Sequence, residues 1–139
     1  MGTETTLVLV KPDGVRRGLV GEVIGRLERK SLQLAAVRML TLDERLASEH
    51  YRAHEDKPFF PDLVEFITSG PVVALAVLGD GAISVVRTLM GATDPKIAAP
   101  GTLRGDLGLE LRQNIVHGSD SKESAERELQ LFFPDLTSA

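Results

Sequence analysis

Residues 114–120 are the part of the sequence best suited to chemistry. They read NIVHGSD, so His117 follows two apolar β-branched residues and precedes a glycine and the start of a predicted helix. The first N–H groups of a helix are unpaired and its dipole attracts negative charge, so a phosphate group would be stabilised here. A histidine beside a phosphate acts as a nucleophile when a second acceptor holds its ring in one tautomer. The segment predicts a phosphate-accepting histidine, or a histidine that only caps a strand or hydrogen-bonds a turn.

Glu128 is the candidate for that second acceptor. It lies one or two turns along the last predicted helix, near the side that carries Ala125 and Phe132. A carboxylate in that position could reach back to the imidazole ring and fix its orientation.

Cations and hydroxyls at turns form a second candidate set. Lys11 follows the first predicted strand, Arg87 lies on a predicted helix, and Thr93 and Arg104 lie in the glycine-containing loop that comes next. Phosphoryl transfer depends on such cations and donors around the moving group, usually with Mg²⁺ bridging the phosphates. Taken singly, each of these residues is equally explained as a solvated surface charge.

Three other patterns carry less weight. Gly79, Gly81 and Ser84 only partly match a dinucleotide-binding fingerprint, and a plain turn explains them. His50 and His54 have the spacing of some zinc ligands, but no third ligand is evident, so we expect both on a helix surface. The Walker pattern of a P-loop is absent from the sequence.

Composition narrows the class of protein. The 139 residues are 42% hydrophobic, which suits a single domain over residues 1–139 with a real core. No long apolar run predicts a membrane span, and the N-terminal residues do not resemble a secretory signal. The chain has no cysteine, which excludes disulfides and suits a reducing compartment, and we expect it to be cytoplasmic. Its net charge of −4, with scattered charges, predicts no specific nucleic-acid partner.

The elements that position these residues alternate along the chain. Strands are predicted at residues 6–10, 32–42 and 72–78, with a last short strand at Ile115 and Val116. Helices are predicted from Val20 to near Ser31, from a capping box of Thr41 and Glu44 to about His54, around residues 63–67, over residues 83–90, and from the Asp120–Glu123 spacing onward. Lys11 to Gly14 is predicted as a turn and residues 91–108 as a long loop. This order predicts an α/β sandwich, in which helices pack on a sheet.

Five segments, in order, resemble the nucleoside diphosphate kinase family. They are LVLVKPDGV at residues 7–15, HEDKPFFPDL at 54–63, TSGPVVA at 68–74, TDPKIAAPGTLRGD at 93–106 and NIVHGSD at 114–120. The resemblance extends from Thr6 to about Pro134. It implies a ferredoxin-like α/β (α+β) sandwich, with a four-stranded antiparallel sheet and helices packed on it.

The resemblance also implies the reaction. A nucleoside triphosphate, usually ATP, would phosphorylate His117, and a nucleoside diphosphate would then collect the group in a ping-pong mechanism with broad base tolerance that supplies NTPs and dNTPs. Glu128, with Ser119, would orient the other ring nitrogen, while Lys11 and Tyr51 would lie close to the transferred phosphate.

The remaining implied roles concern nucleotide and metal. Arg87, Thr93 and Arg104 would hold the other phosphates, Asn114 and Lys11 would meet the sugar hydroxyls, and Phe59 would stack on the base beside Leu63 and Leu111. Mg²⁺ would be held mainly by phosphates and water, and the Asp120 carboxylate would contact it through a water molecule. Leu107 and Ser31 depart from the family pattern, which usually has an aromatic residue and often a glycine there, and we expect effects on packing and turn geometry only.

The resemblance leaves two matters open. It implies a homo-oligomer, either a hexamer or a tetramer. The alternative to an enzyme is a non-catalytic nucleotide-binding or regulatory module on the same fold, and the presence of His117, Lys11, Arg104 and Glu128 argues against it.

Overall fold

The computed structural model describes residues 2–136. The strands of this part of the chain are β1 (Thr3–Val10), β2 (Gln33–Leu40), β3 (Val72–Asp80) and β4 (Val116–Gly118). Its α-helices are α1 (Pro12–Arg16), α2 (Val20–Arg29), α3 (Glu44–His50), α4 (Phe60–Ile67), α5 (Ala82–Met90), α6 (Leu103–Leu107) and α7 (Lys122–Phe132). A short 3₁₀ helix (Arg52–His54) follows α3.

The strands form one four-stranded sheet in the order β2-β3-β1-β4. Each neighbouring pair is antiparallel. The predicted ferredoxin-like sandwich with a four-stranded antiparallel sheet is therefore confirmed. In this order β1 is a central strand, and it aligns His117 of the edge strand β4 opposite Leu9.

Helices cover both faces of the sheet. Because successive strand residues point to opposite faces, Leu7 and Leu9 pack into one buried cluster with residues of α3, α4 and α7. Val8 and Val10 pack into another with residues of α2, α5 and α6. Burial on both faces explains why the sequence of β1 is a continuous apolar run.

The start of α3 differs from the prediction. Asp43 caps this helix, and its side chain accepts a hydrogen bond from the backbone N–H of Leu46 at 2.7 Å. The predicted capping box of Thr41 and Glu44 is therefore wrong. The helix also ends at His50 instead of about His54. Thr41 and Asp43 are both good capping residues, and their spacing did not distinguish them.

The start of α7 also differs by one residue. Ser121 is the cap, accepting from the backbone N–H of Ser124 at 3.1 Å. Asp120, the predicted start, instead accepts from the Ser124 hydroxyl at 2.7 Å. Asp120 therefore precedes the helix and keeps its carboxylate exposed beside it.

Two helices lie where none was predicted. The loop predicted over residues 91–108 contains α6, capped by the Thr102 hydroxyl, which accepts from the Gly105 N–H at 3.0 Å. The predicted turn after β1 contains α1, with Pro12 at its first position. Each of these helices spans five residues, too few to give a helical period in the sequence.

The last strand is shifted relative to the prediction. Ile115 lies just before β4 with a φ of 76°, so it is not a strand residue. His117 consequently lies inside the strand and not at its end. No helix in the described part of the chain is both long and apolar enough to cross a membrane.

Candidate active site

A cleft of about 540 Å³ opens beside β4. Every residue predicted for the site lines it except Ser119: Lys11, Tyr51, Phe59, Leu63, Arg87, Thr93, Arg104, Leu111, Asn114, His117, Asp120 and Glu128. These residues come from α4, α5, α6, β4, α7 and the segments between the elements. The fold therefore gathers side chains that are far apart in the sequence.

His117 is tethered by a buried acid. Its Nε2 lies 2.9 Å from Glu128 Oε1, and the same oxygen accepts a hydrogen bond from the Ser119 hydroxyl at 2.7 Å. Glu128 is 5% exposed and Ser119 only 1%, whereas the His117 side chain keeps 27% of its surface exposed. Ser119 thus contacts the acid and not the ring. An Nε2–H donated to the carboxylate leaves the lone pair on Nδ1.

The environment keeps Glu128 ionised. Burial, the largest single influence, would raise the pKa of this carboxyl. Hydrogen bonds to His117 and Ser119, together with favourable charge interactions, outweigh burial, so the pKa lies below its ordinary value. The acid is therefore a fixed negative charge behind the ring.

His50 is a site residue that sequence reasoning missed. We expected it on a helix surface, but it is 4% exposed, and its ring centroid lies 4.6 Å from that of His117 in an edge arrangement at 85°. Burial lowers the pKa of His50 to about 3, with a further lowering by His117, so the ring is neutral near pH 7. Its spacing of three residues from the buried Ala47 was the available signal.

Lys11 and Asn114 form one polar network at the end of β1. Lys11 Nζ donates to Asn114 Oδ1 at 2.9 Å, and Asn114 Nδ2 donates to the backbone oxygen of Thr93 at 2.9 Å. Burial lowers the pKa of Lys11 to about 8; Asp13 acts against this shift and Arg104 adds to it. Nearby negative charge therefore only partly offsets the positive charge of the ammonium group, and an anion in the cleft would stabilise it.

Arg104 ties the walls of the cleft together. Its guanidinium donates to the backbone oxygens of Asn114 at 3.2 Å, Gly91 at 3.1 Å and Val116 at 2.6 Å. Burial, with a smaller contribution from Arg87, lowers its pKa to about 10, which still leaves it charged near pH 7. Three of its five N–H donors are used in these bonds, so two remain for a ligand.

Arg87 and Thr93 also line the cleft, and both are exposed. Tyr51 follows α3 and packs on His50, with ring centroids 4.7 Å apart. Burial, with the nearby carboxylates of Glu128 and Asp13, raises the pKa of Tyr51 to about 12. The phenol therefore stays protonated and is available as a donor.

Three apolar side chains also line the cleft. Phe59 precedes α4, Leu63 lies on that helix, and Leu111 is 54% exposed. The guanidinium of Arg112 lies 5.0 Å from the Phe59 ring centroid. Arg112 is a second residue that sequence reasoning missed, because its irregular segment gives no periodic signal.

The carboxylates near the cleft limit how a metal ion could bind. Potential ligand atoms of His50, His117 and Glu128 all lie within 4.8 Å of one another. Those of His117 and Glu128, however, are hydrogen-bonded to each other and so are already paired. Asp120 is exposed, and its hydrogen bond from Ser124 lowers its pKa. One exposed carboxylate fits a hydrated Mg²⁺ that takes most of its ligands from a bound molecule.

A ferredoxin-like sandwich that holds a histidine against a buried acid, beside a cleft lined with lysine and arginine, has an arrangement suited to phosphoryl transfer. The chain belongs to the nucleoside diphosphate kinase family, whose family model matches residues 4–137. This confirms the family and the phosphotransferase class that the five sequence segments predict.

The relatives extend over nearly the whole chain. A nucleoside diphosphate kinase of Thermobifida fusca is 63% identical over 133 residues, covering 96% of this chain and 98% of the relative. One of Archaeoglobus fulgidus is 63% identical over 132 residues, covering 95% and 87%. A solved structure of a halophilic nucleoside diphosphate kinase from Halobacterium salinarum, in complex with CDP, has a TM-score of 0.93 at 54% identity and covers 96% of this chain and 90% of its own.

Proposed function

We propose that His117 carries a phosphoryl group from a nucleoside triphosphate, usually ATP, to a nucleoside diphosphate. The observation that carries this proposal is the 2.9 Å contact of His117 Nε2 with the buried Glu128 in a cation-lined cleft. In the first half-reaction Nδ1 attacks the γ-phosphorus. The bond between that phosphorus and the oxygen that bridges it to the β-phosphorus breaks, and the nucleoside diphosphate leaves. In the second, a terminal oxygen of another nucleoside diphosphate attacks the same phosphorus and the N–P bond breaks.

Glu128 and Ser119 support the nucleophile. The ring gains positive character when Nδ1 bonds to phosphorus, and the ionised Glu128 stabilises that charge through Nε2–H. The Ser119 hydroxyl holds the same carboxylate oxygen in place. Because the acid is buried, its interaction with the ring is weakly screened by water.

Charged and polar groups of the cleft hold the phosphates and sugar. Lys11 and Tyr51 act at the transferred phosphate, while Arg87, Thr93 and Arg104 hold the remaining ones. Asn114, with Lys11, meets the sugar hydroxyls. The lowered pKa of Lys11 and the two free donors of Arg104 support these roles, since both groups would gain from an anion.

Base recognition is by stacking. Phe59 stacks on the base with Leu63 and Leu111 beside it, which would give broad base tolerance because every base has an aromatic face. The relative from Halobacterium salinarum binds CDP, which supports a nucleoside diphosphate as ligand of this cleft.

Mg²⁺ is the proposed cofactor. When bound, it neutralises charge on the phosphate oxygens, which supply most of its ligands. Asp120 would contact the ion through a bound water molecule, and its exposed carboxylate just before α7 supports that role.

We also propose one kinase domain over residues 1–139, a cytoplasmic location and a homo-oligomer, either hexamer or tetramer. Val37 and Met39 on the edge strand β2 are 54% and 61% exposed, which supports association because exposed apolar edge strands favour pairing.

Labelling tests the proposal. Incubation with γ-³²P-ATP and Mg²⁺ should give a protein label that is stable in alkali and lost in acid, and His117→Ala should remove it entirely. His54→Ala is the matched control: this exposed histidine lines the same cleft beside Phe59, and its removal should leave the label on His117 in place. An unlabelled wild type that still binds nucleotide would favour the non-catalytic module, and full labelling of His117→Ala would exclude His117 as the carrier.

A further inference from the structure

The residue before β4 has a strained backbone. Ile115 is fully buried with a φ of 76°, a region that β-branched residues rarely adopt. The N–H of Val116 donates to the backbone oxygen of Asn114 at 2.8 Å, which closes a three-residue γ-turn centred on Ile115. Such a turn is strained, so surrounding contacts must hold it in place.

The turn brings two site residues into one cleft. In a regular strand, residues three positions apart point to opposite faces. Asn114 and His117 are three apart, yet both line the same cleft. The change of direction at Ile115 is what allows β4 to carry His117 while the Asn114 carboxamide meets Lys11 Nζ at 2.9 Å.

Asp13 holds the strained residue through its backbone. Its Oδ2 accepts a hydrogen bond from the Ile115 N–H at 3.0 Å, and the Ile115 oxygen accepts from the backbone N–H of Lys11 at 2.8 Å. Both backbone polar groups of Ile115 are thus bound to the segment that follows β1. A Cβ on Gly14 would lie only 3.0 Å from the Ile115 oxygen, so the backbone of α1 packs closely on the turn.

The burial of Asp13 itself needs an explanation. The residue is 3% exposed, and its Oδ1 has no hydrogen-bond partner among the described residues. Burying a carboxylate with one oxygen unpaired is unfavourable. Two interactions favour an acid at this position: the hydrogen bond from Ile115 and the charge interaction with Lys11, of which an asparagine would retain only the first.

We propose that Asp13 is a positioning residue, which holds the γ-turn at Ile115 and thereby keeps Asn114 aligned with His117 for nucleotide binding. The proposal rests on the function proposed above for this cleft. Asp13 would not contact the nucleotide; it acts through Ile115 and Asn114.

Steady-state kinetics of four variants test this role. Asp13→Ala removes the acceptor, and the KM for the nucleoside diphosphate should rise about tenfold as the turn relaxes. Asp13→Asn keeps an acceptor oxygen and should stay within about twofold of wild type. Ile115→Gly relieves the strain of the positive φ but also removes a fully buried side chain, so it serves only as a second background. In that background, adding Asp13→Ala should raise the KM clearly less than it does in the wild type, because the turn no longer needs to be held.

Each outcome is decisive. The proposal would be overturned by an unchanged KM in Asp13→Ala, by an equal loss in Asp13→Asn, or by an equal rise in KM when Asp13→Ala is added to the wild type and to Ile115→Gly. If Asp13→Ala does not fold, Asp13→Asn decides: a KM within about twofold of wild type supports the proposal, and a tenfold rise contradicts it. Phosphorylation of wild-type His117 is measured in parallel, because its absence would defeat the proposed function itself, whereas a labelled wild type with an unaffected Asp13→Ala defeats only this inference.

Discussion

The two nitrogens of His117 have different surroundings. Nε2 faces the buried Glu128 at 2.9 Å, while the ring borders a cleft with Lys11 and Arg104 on its walls. The acid fixes both the orientation of the ring and the tautomer that leaves a lone pair on Nδ1. The acid thereby fixes the direction of the Nδ1 lone pair, as a nucleophile requires.

Lys11 should determine the alkaline limit of activity. Because burial lowers its pKa to about 8, the ammonium group loses its proton in the free enzyme as pH rises through that value. We expect kcat/KM, which reports the free enzyme, to fall above pH 8 by about tenfold per pH unit. A pH profile of initial rates measures this.

Lys11→Arg is the matching variant for that profile. Its guanidinium stays protonated well above pH 8, so the fall should disappear even though the altered shape lowers the absolute rate. A profile of unchanged shape in Lys11→Arg would assign the limit to another group.

The sequence predicted the chemical residues better than their surroundings. His117, Lys11 and Asn114 belong to segments that resemble a family, and the cleft contains them all. His50 could not be assigned in the same way, since a histidine on an amphipathic helix is as compatible with the surface as with the core. Its packing against Phe132 of α7 and His117 of β4 decides that point.

At the level of elements, α2 is followed by a residue with a strained backbone. Ser31 follows this helix with a φ of 68°, and the N–H of Leu32 donates back to the Leu27 oxygen at 3.1 Å. This position favours glycine. Ser31→Gly should raise the free energy of unfolding by up to about 1 kcal/mol, as measured by chemical denaturation.

Lys30→Gly is the control for that substitution. Lys30 has a φ of −84°, so glycine relieves no strain there and should lower the free energy of unfolding by roughly 0.5–1 kcal/mol. Equal effects of the two substitutions would contradict the role of the positive φ at Ser31.

The predictability of each element followed from its length and burial. β1 and β3 are buried on both faces, and their apolar runs marked them clearly. The five-residue helix α6 left no period in the sequence, and the caps of α3 and α7 each lay beside another good capping residue. The γ-turn at Ile115 could not be predicted, because it depends on Asp13, which is distant in the sequence.

For the whole molecule, His50 links stability to pH. Its pKa is about 3 in the folded protein and 6.5 ordinarily. Above pH 6.5 the residue is neutral in both states, but below it the unfolded chain binds a proton that the folded protein excludes. The free energy of unfolding should therefore fall as pH decreases from 6.5 towards 3, by up to roughly 1 kcal/mol per pH unit from this group.

Urea denaturation at several pH values measures that slope. His50→Phe keeps an aromatic ring in the same space and should reduce the slope between pH 6 and 4, whatever its effect at pH 7. His54→Phe replaces an exposed histidine and serves as the control. If His50→Phe and wild type have the same slope, the buried neutral imidazole is not the cause.

The most direct test of the central claim is NMR of the phosphorylated protein prepared with ¹⁵N-labelled histidine, ATP and Mg²⁺. The arrangement of His117 and Glu128 predicts one phosphohistidine, with phosphorus bonded to Nδ1 of His117 and a proton retained on Nε2. Phosphorus on Nε2, on another residue, or on no residue at all would contradict it.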